Sequence, residues 1–120
     1  MSFKFEKLLV WQKAVDLSVE IDALTKTYFP KEELYVLTSQ MKRAADSVSL
    51  NIAEGSTGQS NAEFIRFLRY ALRSNIEVVG CIFIARERNM INEENFEKIY
   101  QMSEEILAMI SALIKKLEHE

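Results

Sequence analysis

Apolar residues recur three and four positions apart along most of this chain, the spacing that lines one stripe of an α-helix. From about Lys7 to Thr27 the stripe is Trp11, Ala14, Leu17, Ile21 and Leu24. It stops at Phe29-Pro30, because proline disfavours the α conformation in the residue before it and donates no backbone hydrogen bond. A second stripe, Leu34, Leu37, Met41, Ala45, Val48 and Ile52, predicts a helix over about 31–54, with Gly55 as its left-handed cap. Ser56-Thr57-Gly58-Gln59 reads as a polar turn, and Ser60 followed by Glu63 has the form of a capping box. A third helix is predicted over about 61–88, with Phe64, Leu68, Ala71, Val78, Ile82 and Ala85 on its seam and Phe67, Leu72 and Val79 widening it. Asn92 is a good N-cap and Glu93 and Glu94 suit the first turn of a fourth helix over about 93–117. Its stripe is Phe96, Ile99, Ile106, Ile110, Leu113 and Leu117.

Short connections between helices this long fold each helix back on the one before. The expectation is therefore all-α: an antiparallel up-down-up-down four-helix bundle, one domain over residues 1–120, with no strand. Trp11, Leu37, Met41, Val48, Phe64, Leu68, Ile82, Ile106 and Ile110 are expected to be largely buried. Small Ala44, Ala45 and Ala71 would let the second and third helices approach closely. Leu9, Val10, Phe67, Ile76 and Ile84 exceed what one seam uses, which predicts that some of them face another copy.

Composition agrees with helix: 120 residues contain three glycines and one proline, too few for the frequent turns of an all-β domain. No long uncharged apolar run occurs and the charged start MSFKFEKLL lacks a signal peptide's apolar stretch, so a cytoplasmic protein without membrane contact is expected. The ending Leu117-Glu118-His119 has the form of a vector-derived remnant, which leaves the native status of the single histidine open.

The candidate chemistry is sparse. One histidine and one cysteine, Cys81, cannot supply a hydrolase triad or the paired Glu-x-x-His ligands of a di-metal helical site. Asn51-Ile52-Ala53-Glu54-Gly55-Ser56 ends a helix, whereas a phosphate-binding glycine loop opens one. No enzymatic activity, metal, cofactor or small-molecule substrate is expected. Net charge is −3, but its distribution is uneven: residues 38–73 carry five basic and three acidic side chains, and residues 87–120 carry four and eight. Arg66, Arg69 and Arg73 share one face of the third helix and, with Lys42 and Arg43, form the most basic region. Two readings stay open for them, a solvated face and a contact for an acidic partner such as RNA. Arg43, Ser47, Asn51 and Glu54 form a polar stripe on the second helix, and Tyr70, Ser74 and Glu77 one on the third. Folding about Gln59 brings Arg43 roughly opposite residues 72–77, so Arg43, Asn51, Ser74 and Glu77 are a candidate polar network with an Arg43–Glu77 pair, the alternative being that both charges point to water.

Phe5-Glu6-Lys7-Leu8 with Val10-Trp11-Gln12-Lys13-Ala14, then Phe29-Pro30, Gln40-Met41-Lys42-Arg43-Ala44-Ala45 and Asn51-Ile52-Ala53-Glu54-Gly55, resembles the 23S rRNA intervening-sequence protein family. Phe64, Phe67-Leu68, Ala71 and Ser74 continue the resemblance, which spans about residues 5–90. It implies a small four-helix bundle, commonly a ring-shaped homopentamer, encoded in insertions within large-subunit rRNA genes and elsewhere in bacterial genomes. A related branch resembles accessory subunits of diversity-generating retroelements, which bind a reverse transcriptase and nucleic acid through a basic surface. The acidic fourth helix departs from that basic character. Two classes of function follow: an oligomeric, RNA-associated protein, or a protein–protein scaffold that holds a partner such as a nucleic-acid-handling protein.

Overall fold

The computed structural model describes residues 2–120 and is all-α, with four long helices. They are α1 (Leu9–Tyr28), α2 (Ser39–Gly55), α3 (Asn61–Glu87) and α4 (Glu93–Glu118). No strand occurs among the described residues. The longest dimension is 46 Å. The 27 residues of α3 span roughly 40 Å at 1.5 Å each, so helices run the length of the molecule. α1 packs on α2 and α4, and α3 packs on the same two helices. Between α1 and α4, Lys13 meets Glu105 and Glu20 meets Lys98, each at 3.0 Å.

Helix ends follow from local chemistry. Ser60 Oγ accepts from Glu63 N at 3.1 Å, and Asn92 Oδ1 accepts from Asn95 N at 2.8 Å, so both predicted caps satisfy a first-turn donor. The Glu63 carboxylate does not complete a reciprocal box; it turns to Arg66. At the end of α3, Asn89 adopts a left-handed φ of 60° and Met90 N reaches back to Ala85 O at 2.8 Å, the bond of a Schellman ending.

The core holds the predicted seams nearly throughout. Leu37, Met41, Val48, Phe64, Leu68, Ile82, Ile106 and Ile110 are buried. Trp11 is only half-buried: its ring packs on Phe5, 4.8 Å away, in the short 3-10 turn (Lys4–Lys7) before α1. Of the five apolar residues counted beyond one seam, Val10 is buried at the start of α1, Phe67 is half-buried, and Leu9, Ile76 and Ile84 are exposed.

Two expectations about α2 need correction. Its regular helix starts at Ser39, eight residues after the expected start, because a 3-10 turn (Lys31–Glu33) and a π-helical turn (Leu34–Thr38) fill the approach. The wider π turn rotates the register, so Leu34 leaves the seam and Leu34, Tyr35 and Val36 all face outward. Gly55, in turn, is not the left-handed cap; Gly58 has the positive φ. A Cβ on Gly55 would lie 2.6 Å from Phe67 Cβ and 3.0 Å from Phe64 Cδ1, so this glycine is required by the close approach of α3.

Candidate functional site

The basic residues are more dispersed and more neutralised than their sequence spacing implies. Lys42 on α2 reaches Asp22 on α1 at 3.0 Å, while Arg69 on α3 reaches Glu118 on α4 at 3.4 Å. Lys42 is thus drawn to the α1–α2 contact and Arg69 to the α3–α4 contact, so the two do not form one patch. Arg66 pairs with Glu63 and lies over the Phe67 ring at 5.0 Å and the Tyr70 ring at 5.8 Å. Hydrogen bonding to the Glu63 carboxylate, with its charge, pushes the Arg66 pKa further up. Asp22 is held below the usual carboxylate range by hydrogen bonds from Lys26 and Lys42. Arg43 and Arg73 are exposed and have no acidic partner within 4.0 Å among the described residues. Three of the five candidate cations therefore carry a counter-charge from the chain itself, which lowers the field available to a phosphate backbone.

The polar stripe between α2 and α3 joins only in part. Ser74 Oγ donates to Ser47 Oγ at 2.9 Å, and Asn51 Nδ2 donates to Ser47 Oγ at 2.9 Å and to Ser47 O at 2.8 Å. Ser47 thus links Asn51 to Ser74 across the interface. The Arg43–Glu77 pair does not form: both side chains are exposed, and Glu77 accepts instead from Gln40 Nε2 at 3.4 Å. Gln40, three residues before Arg43, is the α2 residue whose side chain reaches Glu77.

A second polar pair, not anticipated, lies between α3 and α4. Asn75 is 2% exposed and Ser103 1% exposed, and Asn75 Nδ2 donates to Ser103 O at 2.8 Å. Asn75 Oδ1 and Ser103 Oγ are buried without a hydrogen-bond partner. Such atoms cost about 1–3 kcal/mol each when left unpaired. Both residues line a groove of about 150 Å³ whose other walls include Ile76, Val79 and Leu107, with Glu104 beside it. The signal was present in the chain: Asn75 fills the seam position between Ala71 and Val78, and Ser103 the one between Ile99 and Ile106.

Other features have simpler chemistry. Burial, with the Glu77 charge second, pushes the Cys81 thiol up, which disfavours its thiolate. Arg86 lies 3.9 Å from the Phe96 ring centroid and 5.1 Å from that of Phe83, and it pairs with Glu93 at 3.6 Å, tying the ends of α3 and α4. Among the described residues no group of three or more His, Cys, Asp or Glu is arranged to hold a metal ion, and no helix is long and apolar enough to cross a membrane.

A family model described as 23S rRNA-intervening sequence protein matches residues 6–112. Among solved structures, the chain is similar to a protein of unknown function from the S23 ribosomal protein family of Bacteroides thetaiotaomicron. The TM-score is 0.83 at 29% identity, over 89% of this chain and 99% of that one. No curated protein matches the chain.

Proposed function

Because the chain belongs to the 23S rRNA-intervening sequence protein family, we propose that it acts in the cytoplasm as a non-enzymatic, self-assembling scaffold. In this reading its helices form an antiparallel up-down-up-down bundle, and its copies assemble into a closed homo-oligomer, a pentamer by family resemblance. The bundle reading is supported by cross-helix pairs whose numbering runs in opposite directions: Ser18–Ala45 and Asp22–Lys42 for α1 and α2, Asn61–Leu117 and Arg86–Glu93 for α3 and α4.

The observation that carries self-assembly is the apolar surface left outside the core. Leu9, Val19, Leu50 and Ile76 are each more than half exposed, as is Val36. Burying a large aliphatic side chain is worth about 1.5–3 kcal/mol, so a surface with this many is stabilised by covering it. Light scattering of the full chain at micromolar concentration tests the reading; an oligomer is expected, and a stable monomer defeats it.

RNA association is the second reading, favoured by Arg43 and Arg73, which have no acidic partner among the described residues, and by Arg66 stacked over aromatic rings. The contact would be weak and not sequence-specific, centred on Arg43, Arg66, Arg69 and Arg73. Repetition around an oligomer would raise avidity without new contacts. A gel shift with structured RNA at two salt concentrations is the measurement. Charge reversal at Arg66, Arg69 and Arg73 should abolish any shift while helicity is kept; binding that survives the triple change makes the stripe a solvated face.

A further inference from the structure

We propose that the recess at the corner where α1 ends and the approach to α2 begins binds a phosphate monoester. Lys26, Lys31, Lys42 and the Thr38 hydroxyl hold the phosphate, and Phe29 and Leu34 take the apolar part of the ligand. The site is independent of self-assembly, so its failure would leave that reading untouched.

Local sequence builds the recess. Phe29-Pro30 ends α1, the 3-10 turn (Lys31–Glu33) follows, and the π-helical turn (Leu34–Thr38) leads into α2. Leu34 and Thr38, the first and last residues of the π turn, both line the recess. Irregular turns of this kind are found mostly at functional positions. The space is about 260 Å³, just below the roughly 300–1,000 Å³ of a typical small-molecule site.

Charge sets the class of ligand. Three lysines line this recess and no acidic residue does. The larger recess between α1 and α4 has the opposite character, with Asp16, Glu94, Glu97 and Glu105 set against Lys13 and Lys98, and it repels an anion. Of the acids near the lysines, Glu33 turns away to Arg88, and Glu32 is exposed and outside the lining. Asp22 bonds Lys26 at 2.9 Å and Lys42 at 3.0 Å, which holds the two ammonium groups near each other. An ammonium has three donors, so each keeps two for a ligand. Lys31 has no acidic partner among the described residues. Three lysines less the Asp22 carboxylate leave two positive charges, which match the roughly −1.5 to −2 of a phosphate monoester at pH 7. The carboxyl end of α1 disfavours an anion and the amino end of the α2 approach favours it, so the lysines decide the balance.

Thr38 points to a ligand independently of charge. Its side chain belongs to a residue only 7% exposed, yet its hydroxyl makes no hydrogen bond among the described residues. Unlike the unpaired atoms of Asn75 and Ser103, that oxygen is not sealed from solvent, and Thr38 lines the recess. The other threonine there is spent: Thr25 Oγ1 donates to Ile21 O at 3.0 Å and to Asp22 O at 3.1 Å. A nearly buried hydroxyl with a free proton beside three ammonium groups is a donor waiting for an anionic oxygen.

The test is calorimetric titration of the full chain at low salt with adenosine monophosphate, inorganic phosphate and adenosine. Adenosine monophosphate should bind saturably, phosphate more weakly, and adenosine not at all. Lys31→Gln, at an exposed residue whose loss keeps the fold, should weaken adenosine monophosphate about tenfold, the scale of one charge-assisted hydrogen bond. Thr38→Val, which keeps the shape and removes the hydroxyl, should weaken it about fivefold, and Thr38→Ser should restore most of the loss. Circular dichroism checks that each variant is folded. Lys116→Gln, in the last turn of α4 at the other end of the molecule, removes the same charge and should change nothing. No saturable binding of adenosine monophosphate up to millimolar concentration, or equal weakening by Lys31→Gln and Lys116→Gln, overturns the site. So does binding that a folded Thr38→Val leaves unchanged, because it would place the ligand outside this recess.

Discussion

Helix α3 meets α2 on one side and α4 on the other, and it carries polar residues into both contacts with opposite outcomes. Toward α2, Ser74 and Ser47 bond directly and Asn51 completes the group, while Gly55 lets the backbones close until a single added carbon would collide with Phe67. Toward α4, Asn75 satisfies its donors' side through the Ser103 carbonyl but leaves its own carbonyl and the Ser103 hydroxyl unmet beside an open groove. The first interface is complete within one chain. The second leaves two buried polar atoms unpaired within the chain. A buried polar group marks structure where its hydrogen bonds close, and marks a candidate binding surface where they do not.

The strongest way to break that comparison is at Gly55. Alanine there should destabilise the fold by about 1–3 kcal/mol, because the colliding atom is Phe67 Cβ, near the backbone, and cannot swing away. Chemical denaturation measures it. In a Phe67→Gly background, which removes the colliding Cβ, the same substitution should cost markedly less, since contacting residues couple. An equal cost in both backgrounds would mean that α2 and α3 are not as close as described.

A smaller effect separates the two polar groups. Ser47→Ala removes the oxygen that serves both Ser74 and Asn51 and should cost about 1 kcal/mol or somewhat more. Ser103→Ala removes a hydroxyl with no partner and keeps the carbonyl that Asn75 uses, so it should be neutral or slightly stabilising. If both serines cost the same, the α3–α4 group is as closed as the α2–α3 group and the contrast disappears.

These contrasts were unevenly legible in the chain. Helix starts were readable where a side chain closes a local bond, as Ser60 and Asn92 do, because three-residue chemistry needs no knowledge of the rest of the fold. Leu34 was misjudged for the opposite reason: its apolar spacing fits a regular helix, and the π turn that rotates it outward has no comparable local signature. Spacing put Lys42 with the α3 arginines, yet which side of a helix a cation faces depends on where its neighbours pack, and Asp22 of α1 draws Lys42 away. Asn75 and Ser103 were passed over because a polar residue at a seam position reads as a gap in an apolar pattern, although that gap is the only trace such a pair leaves in sequence.

The smallest expected effect concerns Asp22, which bonds to cations of both α1 and α2, at 2.9 Å from Lys26 and 3.0 Å from Lys42. Its carboxyl is held below its ordinary value of 3.8, first by Lys26 and then by Lys42. A carboxyl lowered in the folded state adds stability that is fully present above the unfolded value and is lost as pH falls through the folded one. Asp22→Asn should therefore leave a shallower loss of stability below pH 3.8 than the wild type shows, with little change in the steepness near neutrality. The residue is exposed and salt screens it, so the difference should shrink further in high salt. Acid titrations followed by circular dichroism at low and high salt give both comparisons. Because Lys42 loses its counter-charge in this variant, the same protein also tests the basic surface: tighter RNA retention by Asp22→Asn would make Lys42 a phosphate contact after all, whereas unchanged retention would confine any such contact to α3 and Arg43.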